Sequence, residues 1–162
     1  MPDHTTHAAH HEAPTGAVPW STAAQATLHC LTGCAIGEVL GMVIGTSIGL
    51  SDWETVALAV ALAFFFGYAL TITPVLRSGL SFGAAVKVAL VADTVSILVM
   101  EIVDNAVLLA VPGAMEAGLG DWLFWGALAF ALAVAFVVTV PVNRAMIGRG
   151  LGHAVVHQHH HH

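Results

Sequence analysis

The stretch HCLTGCAIGEVLGMVIG, residues 29–45, decides how this chain folds. It is apolar enough for the interior of a bilayer, yet it carries His29, Cys30, Cys34 and Glu38. Two ridges run along it. Gly33, Gly37, Gly41, Gly45 and then Gly49 recur at every fourth residue, a spacing that stacks residues on one helix face. Between membrane helices such a small-residue ridge lets a second backbone approach closely, so these glycines read as packing positions. They also offer a route to a homo-oligomer. Cys30, Cys34, Glu38 and Met42 repeat the spacing on a neighbouring face, with His29 about 100° around from Cys30.

Working outward, the composition sets the solvent. Of 162 residues, 57% are hydrophobic and 9% charged, with a mean hydropathy of +0.85; a soluble domain carries roughly 25% charged residues. Four apolar stretches, residues 26–50, 55–72, 82–111 and 123–140, approach or exceed the roughly 20 residues a membrane helix needs. Helices satisfy their own backbone groups where no water can, and no alternating strand pattern suggests a barrel. The expected fold class is therefore all-α integral membrane, with four transmembrane helices. Residues 1–25 lack the basic start and apolar core of a signal peptide. The expected organisation is a His-rich tail (1–24), a first helical hairpin (25–77), a second (78–147) and a His-rich C-terminal tail (148–162).

Four cations orient the bundle. Arg77, Lys87, Arg144 and Arg149 all fall toward one side of the expected spans. Positive charge stays cytoplasmic, which predicts cytoplasmic N- and C-termini. Trp20, Trp53, Trp122 and Trp125 fall at expected helix ends, where amphipathic rings prefer the interface. With no basic patch, nucleic acid is excluded as a partner.

Two pieces of the chain echo each other. GLSDW (49–53) precedes the second span and GLGDW (118–122) the fourth; PVLR (74–77) follows the second and PVNR (141–144) the fourth. The shared order predicts two hairpins as parallel repeats, a design in which ligand sites lie where repeats meet. Under it the first and third spans are counterparts, and these hold the polar residues. The second and fourth read as scaffold, with Pro74 and Pro141 marking their inner ends.

The third span is the second anomaly. In ADTVSILVMEIVDN (92–105), Asp93, Ile97, Met100 and Asp104 form one stripe, flanked by Ser96, Glu101 and Asn105. A charge at mid-bilayer costs about 3 kcal/mol on insertion scales. Acids this close are protonated or faced by a cation. Glu38, Asp93, Ser96, Glu101, Asp104 and Asn105 are thus candidates for an ion or proton path. Counting back from the outer loops sets Cys34 level with Asp93, and Glu38 level with Met100 and Glu101.

Thiol, imidazole, carboxylate and thioether together make a donor set that soft or borderline metals favour. His29, Cys30, Cys34, Glu38, Met42 and Met100 are the candidate ligands, for copper(I) first and zinc second. Packing alone is the plain alternative, since cysteine behaves as a small hydrophobe. In the tails, His4, His7, His10, His11, His153 and His157 are candidates for metal capture. His159 to His162 look like a purification tag and are set aside.

The motifs HCLTGC-x3-E, DTVSILVMEIVDNAV (93–107) and GHAVVH (152–157) resemble a family of small bacterial four-helix membrane proteins classed as a domain of unknown function. The resemblance spans nearly all of residues 25–157. It implies a bacterial cytoplasmic membrane and an association with copper and heavy-metal handling, and supplies no catalytic residues. The expected function is binding and transport of a transition-metal cation. Against it stand a membrane thiol-disulfide oxidoreductase built on Cys30 and Cys34, a proton-coupled carrier or channel for another solute, and an accessory subunit. Redox pairs usually come as Cys-x-x-Cys, so the four-residue spacing favours ligation. No G-x4-GK[ST] motif for ATP occurs.

Overall fold

The computed structural model describes residues 17–149, apart from 78, 80 and 115. Four helices account for nearly all of it: α1 (Trp20–Ile48), α2 (Asp52–Arg77), α3 (Phe82–Ala110) and α4 (Trp122–Gly148). The chain turns back at each connection, tightly after α1 and α2 and through residues 111–121 after α3, so neighbours run antiparallel, and contacts join α1 to α2, α2 to α3, α3 to α4 and α4 to α1. α1 and α3 therefore run in the same direction and face each other across the bundle. α1, α2 and α4 are long and apolar enough to cross a membrane. α3 has the length, but Lys87, Asp93, Glu101 and Asp104 interrupt its apolar run.

Local signals set the ends. Gly49 closes α1 in the left-handed conformation (φ 73°), its N–H returning to the Gly45 and Thr46 carbonyls; only glycine takes that conformation without strain. Ser51 and Glu54 then start α2 with the return half of a capping box, the Glu54 carboxylate reaching back to Ser51. Both the amide and the hydroxyl of Ser51 donate to Glu54 Oε2, at 2.9 and 2.7 Å. Asp121 caps α4 by accepting from the Leu123 amide at 3.0 Å. The two Asp-Trp landmarks thus act one residue out of phase: Asp52 is the first residue of α2, whereas Asp121 precedes α4.

Two expectations about boundaries change. Pro74 and Pro141 lie inside α2 and α4 rather than at their ends. Each removes one backbone donor, and the helix resumes its ladder beyond it. α1 also begins at Trp20, ahead of the expected boundary at 25. Arg144 holds that start in place: its Nε donates to the Val18 carbonyl at 2.8 Å, and its guanidinium lies 4.3 Å from the Trp20 ring centroid.

The interior is built from small residues. The α1 glycines meet α2 almost backbone to backbone: a Cβ on Gly33 would fall 2.7 Å from Gly67 Cα, and Cβ atoms on Gly37 and Gly41 would overlap Ala63 and Ala59. Gly45 opposes Thr55. From Gly33 to Gly45 the ridge is thus packed against α2 of the same chain. Gly49 departs from the set, because it caps the helix and nothing lies within 4 Å of its missing Cβ. α4 carries a parallel stripe of Ala127, Ala131, Ala135, Thr139 and Asn143, all buried. Large apolar side chains such as Leu28, Phe65, Ile102, Leu109, Phe130 and Val137 point outward.

Candidate functional site

With the large apolar residues outside, the polar ones share the centre. Cys30, Cys34, Glu38, Asp93, Ser96, Met100, Glu101 and Asp104 are all buried. They come from α1 and α3, and they meet in steps. Cys30 Sγ donates to Asp93 Oδ1 at 3.7 Å. One turn further, Cys34 Sγ lies 4.0 Å from Met100 Sδ, with Glu101 beside it. One turn beyond that, Glu38 lies against Asp104 and within electrostatic reach of Glu101. At 1.5 Å rise per residue, the column from Cys30 to Glu38 is about 12 Å long. Both cysteines are free thiols.

The register differs from the expected one by about a turn. Asp93 pairs with Cys30 rather than with Cys34, and Glu38 lies against Asp104, with Glu101 still within its electrostatic reach. α1 continues for 14 residues past Cys34, but α3 only for 10 past Met100. α3 therefore ends about one turn lower, and the following loop covers it with buried Ala114 and Ala117. Counting from loop ends missed this, because a loop does not climb at the helical pitch.

The carboxylates of Glu38, Glu101 and Asp104 stand out. They are 7%, 4% and 1% exposed, and no hydrogen bond of good geometry reaches any of their oxygens. All three line a cavity of about 340 Å3 at the end of the bundle opposite the termini. Asn105 lines it too, although its Nδ2 donates back to the Glu101 carbonyl at 2.8 Å.

At the other end of the column lies a hydrogen-bonded bridge. Ser96 Oγ donates to Asn143 Oδ1 at 2.6 Å, Asn143 Nδ2 to Thr27 Oγ1 at 2.8 Å, and Thr27 Oγ1 to the Ala23 carbonyl at 2.8 Å. It ties α3 to α4 and α4 to α1. Tyr68 and Thr94 join α2 to α3 through their hydroxyls at 2.8 Å. Of these residues, the sequence reading singled out only Ser96. α4 is accordingly more than scaffold. Thr139 and Asn143, four apart on the alanine stripe, were the signal.

Other candidates separate from the column. Met42 is half-buried and packs against Ala117, Phe124 and Leu128. Eight residues from Cys34, it stands about 12 Å further along the helix, so it does not join the sulfur pair. His29 is half-buried near the start of α1. His4, His7, His10, His11, His153 and His157 lie outside the described residues. Among the described residues, no three His, Cys, Asp or Glu side chains are arranged to hold a metal ion.

A protein-family model described as "Domain of unknown function (DUF4396)" matches residues 19–152. The chain belongs to this family. The match takes in all four helices and every residue of the polar column. Neither the comparison with curated proteins nor that with solved structures gave a match.

Proposed function

We propose that the chain is an integral protein of the bacterial cytoplasmic membrane, with both termini inside, and that it binds and carries a transition-metal cation between α1 and α3. Copper(I) is favoured over zinc. Membrane integration is supported by the inside-out distribution: large apolar side chains face outward, and polar groups fill the bundle centre, where intramembrane acids and their pathways lie. Trp20, Trp53, Trp122 and Trp125 are exposed at the helix ends. Arg77 and Arg144 lie toward the end where the described chain begins and finishes, which supports the orientation.

The observation that carries the metal reading is the contact between Cys34 Sγ and Met100 Sδ. Metal–sulfur bonds run to about 2.3 Å, so two sulfurs 4.0 Å apart accommodate one ion at an angle of roughly 120°. Thiolate with thioether is a copper(I) pair. The site offers two sulfurs rather than a closed cage of acids and imidazoles, in keeping with the lack of a three-residue cluster among the described residues. Cys30 with Asp93 would be the next station toward the termini. Glu38, Glu101 and Asp104 would supply charge at the opposite end.

The test is a copper(I) competition titration on the reduced full-length chain beside Cys34→Ser and Met100→Leu. Each variant should lose one equivalent that the tails do not replace. Equal copper in all three proteins would refute the sulfur pair as a site. A second reading, a proton-linked carrier for another solute, is favoured by the unbonded carboxylates; there, flux in proteoliposomes would survive Cys34→Ser and fail with Glu38→Gln.

A further inference from the structure

We propose that the cavity opposite the termini is a binding site for an amphiphilic organic monocation, distinct from the sulfur pair. Its volume of about 340 Å3 falls within the roughly 300–1,000 Å3 of small-molecule sites. Its lining pairs two chemistries. Glu38, Glu101 and Asp104 present buried carboxylates that no hydrogen bond of good geometry reaches, and Asp52 and Glu116 add two exposed ones at the rim. Among the described residues, none that lines the cavity is basic. The walls between are apolar: Val56, Leu108, Phe124 and Leu128.

Carboxylates in such a place call for a positive charge or for protons, and the walls decide what kind of cation fits. A bare metal ion needs several ligands converging within bonding distance, and no three acidic, thiol or imidazole side chains among the described residues do so. A hydrated ion would press its water shell against hydrocarbon and gain nothing from it. An organic cation meets both demands, because its charge faces the carboxylates while its carbon body removes the walls from water. Phe124 adds an aromatic face of the kind that attracts quaternary ammonium groups.

Access points the same way. A second cavity of about 270 Å3 opens between α2 and α3 on the apolar flank of Trp53, Leu98, Ile102 and Leu109. It shares Val56, Glu101 and Asn105 with the first. An amphiphile dissolved in a surrounding bilayer would meet Glu101 along this groove. Neither cavity is lined by Cys34 or Met100, so the site stands or falls independently of copper binding.

The experiment is calorimetric titration of the full-length chain in phosphatidylcholine nanodiscs with benzyltrimethylammonium, its neutral isostere neopentylbenzene, and manganese(II). The cation should bind saturably at one per chain, at least ten-fold more tightly than the isostere. Glu38→Gln should weaken it at least ten-fold. Leu108→Trp, which narrows the cavity and leaves every carboxylate in place, should weaken binding at least ten-fold while the helical circular dichroism is retained. Equal binding of the neutral isostere would reduce the site to an apolar gap and overturn the proposal. Saturable manganese(II) binding without the organic cation would assign the cavity to inorganic ions and overturn it as well.

Discussion

Asn143 donates through Nδ2 to Thr27 Oγ1 at 2.8 Å, joining the last helix to the first across 116 residues of chain. Its Oδ1 takes the Ser96 hydroxyl on α3, so one amide side chain ties three helices together. Hydrogen bonds between membrane helices average about 0.6 kcal/mol each and reach about 1.7. Asn143→Leu should therefore destabilise the bundle by roughly 1–3 kcal/mol, read from detergent unfolding. No change in the midpoint would mean that the bridge contributes nothing to stability.

The glycines of α1 should separate into two classes. Gly37→Ala places a methyl group into the Ala63 backbone, and backbone cannot rotate aside. That variant should lose the close α1–α2 contact and with it most of the folded population. Gly49→Ala meets open space and is strained only by its φ of 73°, a cost of about 1–2 kcal/mol. Melting both proteins in the same detergent checks the order; a milder Gly37 variant would contradict the packing described.

The two cysteines should differ toward copper(I). Cys34 sits with Met100, whereas Cys30 faces Asp93. Under the metal reading, Met100→Leu weakens copper(I) binding at least ten-fold, and Cys30→Ser weakens it less. A competition titration reads both, and the reverse order would move the ion one turn toward the termini.

Alkylation should report burial. Cys30 and Cys34 are 2% and 1% exposed, so maleimide should label neither thiol in the folded chain and both after unfolding. Mass spectrometry counts the adducts. Rapid labelling of the native protein would require an open path to the column.

Much of this arrangement was legible in the residues. Long apolar runs separated by the Asp-Trp turns announced four helices, because hydrophobic length and turn chemistry act locally. The shared face of Cys30, Cys34 and Glu38 followed from helical periodicity alone, as did the stripe of Asp93, Met100 and Asp104. What escaped was relational. The glycine ridge declares a close neighbour, but Ala59, Ala63 and Gly67 identify it as α2 only once the hairpin is closed. The one-turn offset between α1 and α3 depends on a loop that folds over a helix end. Asn143 was hidden in PVNR, where its place in a landmark outweighed its place on a face. Met42 kept its periodic position, but the helix had already risen past the column.

The glycine ridge has a mechanical consequence. α1 and α2 touch through backbone, which cannot change rotamer, so they behave as one stiff plate. α3 meets that plate at the column through the flexible ends of side chains, Met100 to Cys34 and Asp104 to Glu38. The polar residues thus lie on a shear plane between two bodies rather than inside either. Sliding α3 by one turn would exchange Met100 for Asp104 opposite Cys34, leaving the helical hydrogen bonds intact but breaking the Ser96–Asn143 and Tyr68–Thr94 bonds that hold the present register.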